Sequence, residues 1–213
     1  MRTASSWKLG TSEYILTYMS HHIYHTEAVI LGGRPSGEGD RVLYCYTREL
    51  GLVFAHAKSI RESRSRLRYG LQLFAHANID LIRGKHGWKL ISATPISSFR
   101  ELWAHRERRL IAAQHVSLLR RLIQGEERHE HLFDDILSGF TFLSSLADIE
   151  ALRDAELLMV VRLLSRLGYW GGGVAPVLVP ERAAYSREDI RAIGPMRADI
   201  IAGVNSALAS SQL

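Results

Sequence analysis

Residues 41–58 read RVLYCYTRELGLVFAHAK, two short runs rich in aromatic and β-branched residues with a turn between them. The runs Arg41–Thr47 and Leu52–Lys58 each have the length and composition of a β-strand. The segment Arg48–Gly51 turns the chain, because Gly51 can adopt the positive φ that favours glycine. This stretch predicts two adjacent strands and sets the pattern for the segments on either side.

Three further strand-like segments surround this pair, namely His25–Leu31 before it and Leu73–Ile82 and Trp88–Ile96 after it. Gly32–Gly37 contains the Gly and Pro residues that end a strand, and Gly84–Gly87 predicts a hairpin turn between the last two strands. Only the connection between the third and fourth strands is long. Five short strands arranged in this way predict a small closed β-barrel with the strand count of an OB-fold.

After Pro95 the apolar residues recur with helical spacing. The predicted helices are Phe99–Gln124, His131–Leu146, Asp148–Leu167, a short helix that Ser186 opens with Asp189 in the capping-box position, and Met196–Leu208. Residues 168–180 are predicted to form a loop. The fold class is therefore α+β, with an OB-fold β-barrel at residues 23–99 followed by an all-α domain at residues 100–213. Residues 1–22 are expected to be a poorly ordered extension, and Met19 is favoured over Met1 as the start of translation.

The positive charge of the chain belongs to its first half. Residues 1–99 hold 13 Lys and Arg against 7 Asp and Glu, a net charge of plus six, whereas residues 100–213 hold 14 against 15, a net charge of minus one. Much of the surplus lies between Lys58 and Arg68, where five basic residues accompany the single acid Glu62. This asymmetry favours a polyanion as the partner of the first half, since clustered Lys and Arg release counterions from phosphates.

The sequence carries no pattern typical of an enzyme or a metal site. Its one cysteine, Cys45, excludes an internal disulfide and a Cys-only metal site, and fits a reducing cytoplasmic compartment. The ten histidines lack recognisable ligand spacing. Asp134 and Asp135 are adjacent on a predicted helix, which suits a solvated face better than an acid–base pair. Neither a phosphate-binding Gly loop nor a nucleophile elbow is present, so we expect no catalysis, cofactor or metal, and no apolar run predicts a membrane span.

Several segments follow one another in a distinctive order and spacing, namely Glu27–Leu31, Arg34–Arg41, Thr47–Gly51, and Ala57–Lys58 followed by Ser65–Arg68. In this order and spacing they resemble the bacterial recombination mediator family RecO. The resemblance covers residues 23–99 well and the helical remainder more loosely. It implies an N-terminal OB-fold that binds DNA, annealing of complementary single strands, and work with RecR and single-stranded DNA-binding protein in recombinational repair. Many members carry paired Cys-x-x-Cys zinc ligands after the helix that here ends near Leu167, and this chain lacks them, so no zinc is implied.

The residues expected to contact nucleic acid are Arg34, Arg41, Lys58, Arg61, Arg64, Arg66 and Arg68, with Tyr69 as the candidate for base stacking. If these residues are not the contact, the Arg106, Arg108, Arg109, Arg120 and Arg121 face of the first long helix is the next place for it. The expected ligands are single-stranded DNA and also duplex DNA. The protein is expected in the cytoplasm, associated with the nucleoid. Two alternatives remain open: an RNA-binding OB-fold protein in translation or RNA metabolism, and a protein-interaction scaffold whose basic surface binds an acidic tail.

Overall fold

A computed structural model describes residues 22–60, 71–129, 131–170, 178–179 and 184–211 of the chain. Its strands are β1 (Ile23–Ser36), β2 (Asp40–Thr47), β3 (Gly51–Ala57), β4 (His76–Gly84) and β5 (Gly87–Ser97). Its helices are α1 (Arg100–Ala104), α2 (Arg106–Leu122), α3 (Leu132–Ser145), α4 (Ile149–Arg166), α5 (Arg187–Ile193) and α6 (Arg197–Ser210), with a 3₁₀ turn at Gly194–Met196 between the last two. The predicted α+β class is confirmed, with strands first and helices after them.

The five strands form a closed barrel in the order β1-β2-β3-β5-β4. All neighbouring pairs are antiparallel except β3 and β5, which run parallel. The long first strand takes part in two pairings, with β2 and with β4, and so closes the barrel. This strand order and the single parallel closure are those of an OB-fold, which confirms the predicted barrel.

Three predicted element boundaries are wrong, and one of them is the start of the fourth strand, which is His76 rather than Leu73. The first strand was expected to end at Leu31, but β1 continues through Gly33, Arg34 and Pro35 to Ser36, with a register shift between Ile30 and Gly32. A β-bulge takes up the one extra residue, and the pairing with β2 continues after it. Gly and Pro therefore bend the second half of β1 and do not end the strand. The predicted helix Phe99–Gln124 is two helices, because His105 adopts an extended backbone, with φ of −125° and ψ of 132°.

The barrel and the helices share a core. Inside the barrel, residues such as Cys45, Val53 and Ile79 form one apolar cluster. On the outer surface of the barrel, Tyr46 and Leu52 belong to a second cluster that contains the buried faces of the helices. Alternate strand residues point to opposite faces. The outer face of the barrel is therefore partly core and partly surface, depending on whether the helices cover it.

Gly51 lies at a close approach between the barrel and the segment that follows α2. Its φ is +68°, as the turn prediction required, and a Cβ at this position would lie 2.2 Å from the carbonyl oxygen of Glu127. The neighbouring amide of Leu52 donates to the carbonyl oxygen of Gly125 at 3.3 Å. No other residue type fits here without moving backbone, so glycine is required for packing as well as for the turn.

Charged residues also join the barrel to the helices. Arg48 donates to Asp134 of α3 at 2.8 Å and to Glu27 of β1 at 3.1 Å, and its guanidinium lies 4.4 Å from the centre of the Phe133 ring. The pKa of Glu27 is lowered, because hydrogen bonds and charge from Arg48 and His76 outweigh the opposing effect of burial. These contacts fix the orientation of β1 relative to α3.

The expectation that Asp134 and Asp135 share a solvated face is wrong for Asp135. That side chain is buried and accepts a hydrogen bond from Nε of Arg166 on α4 at 2.6 Å, whereas Asp134 is exposed. Arg166 compensates the buried negative charge. The pair therefore joins α3 to α4 rather than facing water.

Several predictions fall outside the residues that the structure describes, namely the extension 1–21, most of the basic loop (61–70) and most of the predicted loop 168–180. The short helix α5 begins as predicted, with Ser186 accepting from the amide of Asp189 at 3.1 Å and Asp189 accepting from the amide of Ser186 at 2.8 Å. Of the helices described, none is long and apolar enough to cross a bilayer.

Candidate nucleic-acid interface

The outer face of the barrel carries a row of side chains across four neighbouring strands. Arg34 of β1 pairs with Val42 of β2, Val42 pairs with His56 of β3, and His56 pairs with Lys89 of β5. Cross-strand partners lie on the same face of a sheet, and neighbouring strands are about 4.8 Å apart. The row therefore places two permanent cations, Arg34 and Lys89, at its two ends, about 14 Å apart, with a histidine between them.

A second row, one pleat further along, is aromatic. Tyr44 of β2 pairs with Phe54 of β3, and their rings meet edge to face with centroids 5.3 Å apart. Phe54 is 51% exposed, which is unusual for a phenylalanine on a barrel strand. On the other side of Tyr44, the guanidinium of Arg120 from α2 lies 4.2 Å from the ring centre. This row therefore offers an exposed aromatic face next to a cation.

Two adjoining cavities on this face lie between these two rows of side chains and the loops at the end of the barrel. The larger is about 350 Å³ and includes Arg34, Phe54 and Trp88 in its lining. The other is about 320 Å³ and includes Asp40, Lys58 and Lys89. Both are lined by His56, His86 and Gly87, so they form one continuous groove between the β1–β2 turn, the start of the β3–β4 connection and the β4–β5 hairpin. In an OB-fold, the face of strands 2 and 3 and the β1–β2 and β4–β5 loops bind oligonucleotides and oligosaccharides.

Two carboxylates border the groove, and both have partners. Asp40 accepts a hydrogen bond from the amide of Ser59 at 2.8 Å and so holds the start of the basic loop. Glu126 accepts from Arg83 at 2.8 Å and from the indole nitrogen of Trp88 at 2.9 Å. The bond to Arg83 offsets the charge of Glu126. The net charge of the groove is therefore positive, because of Arg34, Lys58 and Lys89.

The predicted contact residues separate into three groups. Arg34 and Lys58 line the groove. Arg41 pairs with Pro35 and lies next to Val42 on β2, so its side chain points to the opposite face of the ribbon from Arg34, and the structure does not bring the two together. The others, Arg61, Arg64, Arg66, Arg68 and the stacking candidate Tyr69, lie outside the described residues. For these residues the sequence prediction stands as a prediction.

The interpretation of the α2 arginines as one face is wrong for Arg108. Its side chain is buried and donates to the carbonyl oxygen of Leu146 at 2.8 Å, so it joins α2 to the end of α3. Arg106, Arg109, Arg120 and Arg121 are exposed. Helical phase accounts for the difference, since Arg108 shares the inward side of α2 with Ala112 and His115.

Sequence reasoning missed Lys89 and Phe54 as parts of this surface. Lys89 alternates with the inward-facing Trp88 and Leu90, so strand alternation alone could have placed it on the outer face. Phe54 alternates with Val53 and Ala55 in the same way, but an aromatic residue on a barrel strand is more often part of the core. Its exposure depends on where the helices stop covering the barrel, and no local pattern reports that.

Neither a metal centre nor a reactive thiol is part of this groove. Within the described ranges there is no group of three or more His, Cys, Asp or Glu that could hold a metal ion. Cys45 lies inside the barrel, and burial raises its thiol pKa to about 12. The thiol is therefore neutral at physiological pH, and it packs as a small apolar side chain.

The strand order and the cationic, partly aromatic groove define a protein of the OB-fold class. Comparison with known proteins gives the family. The family model described as "Recombination protein O N terminal" matches residues 19–99. Over these residues the chain is similar to the RecO family, as the resemblance in its sequence indicated.

Curated relatives extend the similarity beyond the barrel into the helices. The "DNA repair protein RecO" of Heliobacterium modesticaldum is 36% identical over 148 residues, which cover 69% of this chain and 52% of that protein. The protein of the same name from Desulfitobacterium hafniense is 33% identical over 149 residues, with coverage of 69% and 52%. That of Clostridium novyi is 30% identical over 149 residues, with coverage of 69% and 57%. The chain spans about half the length of these relatives.

Proposed function

We propose that this protein binds single-stranded DNA in the barrel groove and promotes the annealing of complementary strands in recombinational DNA repair. The observation that carries the proposal is the groove itself, where Arg34 and the exposed ring of Phe54 line one cavity and Lys58 and Lys89 line the adjoining one. Cations bind phosphates without reading sequence, and an aromatic face stacks on any base. An annealing protein needs both properties, because it must act on every sequence and must screen the repulsion between two polyanions.

The proposal assigns no turnover chemistry to the protein. Its action would be to hold one strand extended with its bases accessible and to lower the electrostatic barrier to the second strand. The similarity to RecO proteins supports RecR and single-stranded DNA-binding protein as partners, loading of a recombinase as the outcome, and a cytoplasmic, nucleoid-associated location. Duplex DNA is a weaker expected ligand, since a stacking side chain gains nothing from paired bases.

The salt dependence of binding tests the groove. Three phosphate contacts from Arg34, Lys58 and Lys89 would contribute a slope of about −2 to a plot of log affinity against log salt, at about −0.7 per contact for single strands. The loop arginines Arg61, Arg64 and Arg66 would add about −2 more. Replacing Lys58 and Lys89 together with Ala should flatten the slope by about 1.4, and replacing the three loop arginines should flatten it by about two.

Annealing rates of complementary oligonucleotides should fall in both variants, while their melting temperatures stay close to that of the parent, since exposed Lys and Arg contribute little to stability. Unchanged slopes and rates in the Lys58 and Lys89 variant would refute the groove as the binding site. Equal affinity for RNA of the same sequence would favour the RNA-binding alternative. Failure to bind DNA or RNA at all would leave the scaffold interpretation.

A further inference from the structure

A second exposed aromatic side chain lies away from the groove, where the barrel meets the first two helices. Trp103 of α1 is 41% exposed, and Leu110 of α2 is 51% exposed. Both line a cavity of about 280 Å³, together with Leu73, Phe74, Arg106, Arg109 and Ala113. Phe74 belongs to the shared core, and Leu73 and Ala113 pack against that core. The exposed side chains of the patch lie outside the groove described above.

The chemistry of this cavity resembles that of the groove. The indole of Trp103 packs against the buried ring of Phe74, with centroids 5.5 Å apart, while part of its surface faces solvent. Arg106 and Arg109, both exposed, come from the first turn of α2, and no carboxylate is among the lining residues. An exposed aromatic ring beside two arginines suits a nucleobase and its phosphates better than an apolar peptide.

Helix α2 connects this cavity to the groove. Residues of a helix are about 100° apart, so one exposed stripe along α2 contains Arg106, Arg109, Leu110, Ala113, Ser117 and Arg120. At the far end of the stripe, Arg120 stacks on Tyr44, which in turn contacts Phe54 in the groove. From Arg106 to Arg120 the helix rises about 21 Å. Glu107 lies about 100° away from Arg106 and about 60° away from Leu110, so it falls outside the stripe.

The connection between β3 and β4 touches both ends of the same path. Lys58, at its beginning, lines the groove, and Leu73 and Phe74, near its end, line the Trp103 cavity. Leaving the barrel groove past Phe54 and Tyr44, a polyanion would meet Arg120, then Arg109 and Arg106, and finally the indole.

We propose that a single strand bound in the barrel groove continues along the exposed stripe of α2 and ends with a base stacked on Trp103. This rests on the proposed function, since it extends the same ligand over a longer surface. It assigns Trp103 as a stacking residue and Arg106, Arg109 and Arg120 as phosphate contacts. It also makes binding depend on strand length, because only a strand that fills the groove can reach the helix.

Oligonucleotides of two lengths test the proposal, one of about 6 nucleotides that fits the barrel alone and one of about 20 that spans both surfaces. The Trp103→Ala variant should bind the long strand about tenfold more weakly than the parent and the short strand equally well. Trp103→Phe should recover most of that loss, because phenylalanine also stacks. The Arg106→Ala and Arg109→Ala double variant should flatten the salt slope by about 1.4 for the long strand only.

The matched control is the Arg187→Ala and Arg191→Ala double variant, which removes two exposed arginines from α5, away from the stripe. It should leave the affinity for both lengths unchanged. Parental affinity of the Trp103→Ala and Arg106/Arg109 variants for the long strand would overturn the proposal, as would an equal loss for short and long strands. Neither result would affect the proposed function, which fails instead if the parent binds neither length.

Discussion

The exposed ring of Phe54 gives the sharpest prediction about the groove. The side chain has 51% of its surface exposed, and its only ring contact among the described residues is with Tyr44, at 5.3 Å. Replacing it with Ala should therefore cost the fold little, about 1 kcal/mol, since only half of a phenylalanine is removed from the packed surface. The same change removes a stacking platform, and such platforms contribute about 1–3 kcal/mol per base. We expect affinity for single strands to fall about tenfold, with an unchanged salt slope because no charge is lost.

Fluorescence anisotropy of a labelled oligonucleotide, titrated at several salt concentrations, measures both quantities. An abasic strand of the same length isolates the stacking contribution, because Phe54→Ala should not weaken its binding. Ile96→Ala is the matched control, since Ile96 is 50% exposed on β5 but lines neither cavity of the groove. Loss of affinity for the abasic strand as large as for the normal one, or no loss for either, would refute the stacking role.

Two further predictions concern the fold. Gly51→Ala should lower the free energy of unfolding by about 3 kcal/mol, because alanine would have to adopt a positive φ and its Cβ would lie 2.2 Å from the carbonyl oxygen of Glu127. Gly37→Ala is the control and should cost only about 1 kcal/mol, since Gly37 has φ of +81° but nothing within 4 Å of the added Cβ. Equal losses for the two variants in denaturant titrations would contradict the packing argument. Burial lowers the pKa of His115 from 6.5 to about 4, so the native state takes up this proton at a lower pH than the unfolded chain does. The contribution of the neutral histidine to stability is therefore complete above pH 6.5. The free energy of unfolding should fall by as much as about 3 kcal/mol as the pH drops to 4. His115→Leu should remove that part of the decline, and parallel pH profiles for the two proteins would show that another group causes it.

The Phe54 and Trp103 predictions differ in what they ask of the ligand. Phe54 lies on the barrel itself, so its replacement should weaken the binding of even a short oligonucleotide. Trp103 lies on a helix beyond the barrel, so its replacement should weaken the binding of a long oligonucleotide only. Measured together, the two variants separate a compact OB-fold site from one that extends onto the helical part of the chain.

The sequence by itself determined the local structure and the distribution of charge along the chain. Alternating apolar residues, turn glycines such as Gly51 and Gly87, and the Ser186 cap are short-range signals, and strands and helices formed near where these signals predicted them. The basic surplus of the first half likewise needs no structure to be counted. Family resemblance could also be read from the chain, because it depends on the order and spacing of segments.

Only the tertiary structure decided which of these side chains face solvent and which of them meet. Arg108 and Asp135 looked like surface charges, yet both are buried, because helix α2 and helix α3 pack those positions against neighbouring elements. Phe54 looked like core, yet it is exposed, because the helices cover Tyr46 and Leu52 and stop short of it. Arg34, His56 and Lys89 come from three strands and align only through barrel register. Periodicity reports the face of one element, whereas solvent exposure depends on how the other elements cover that face.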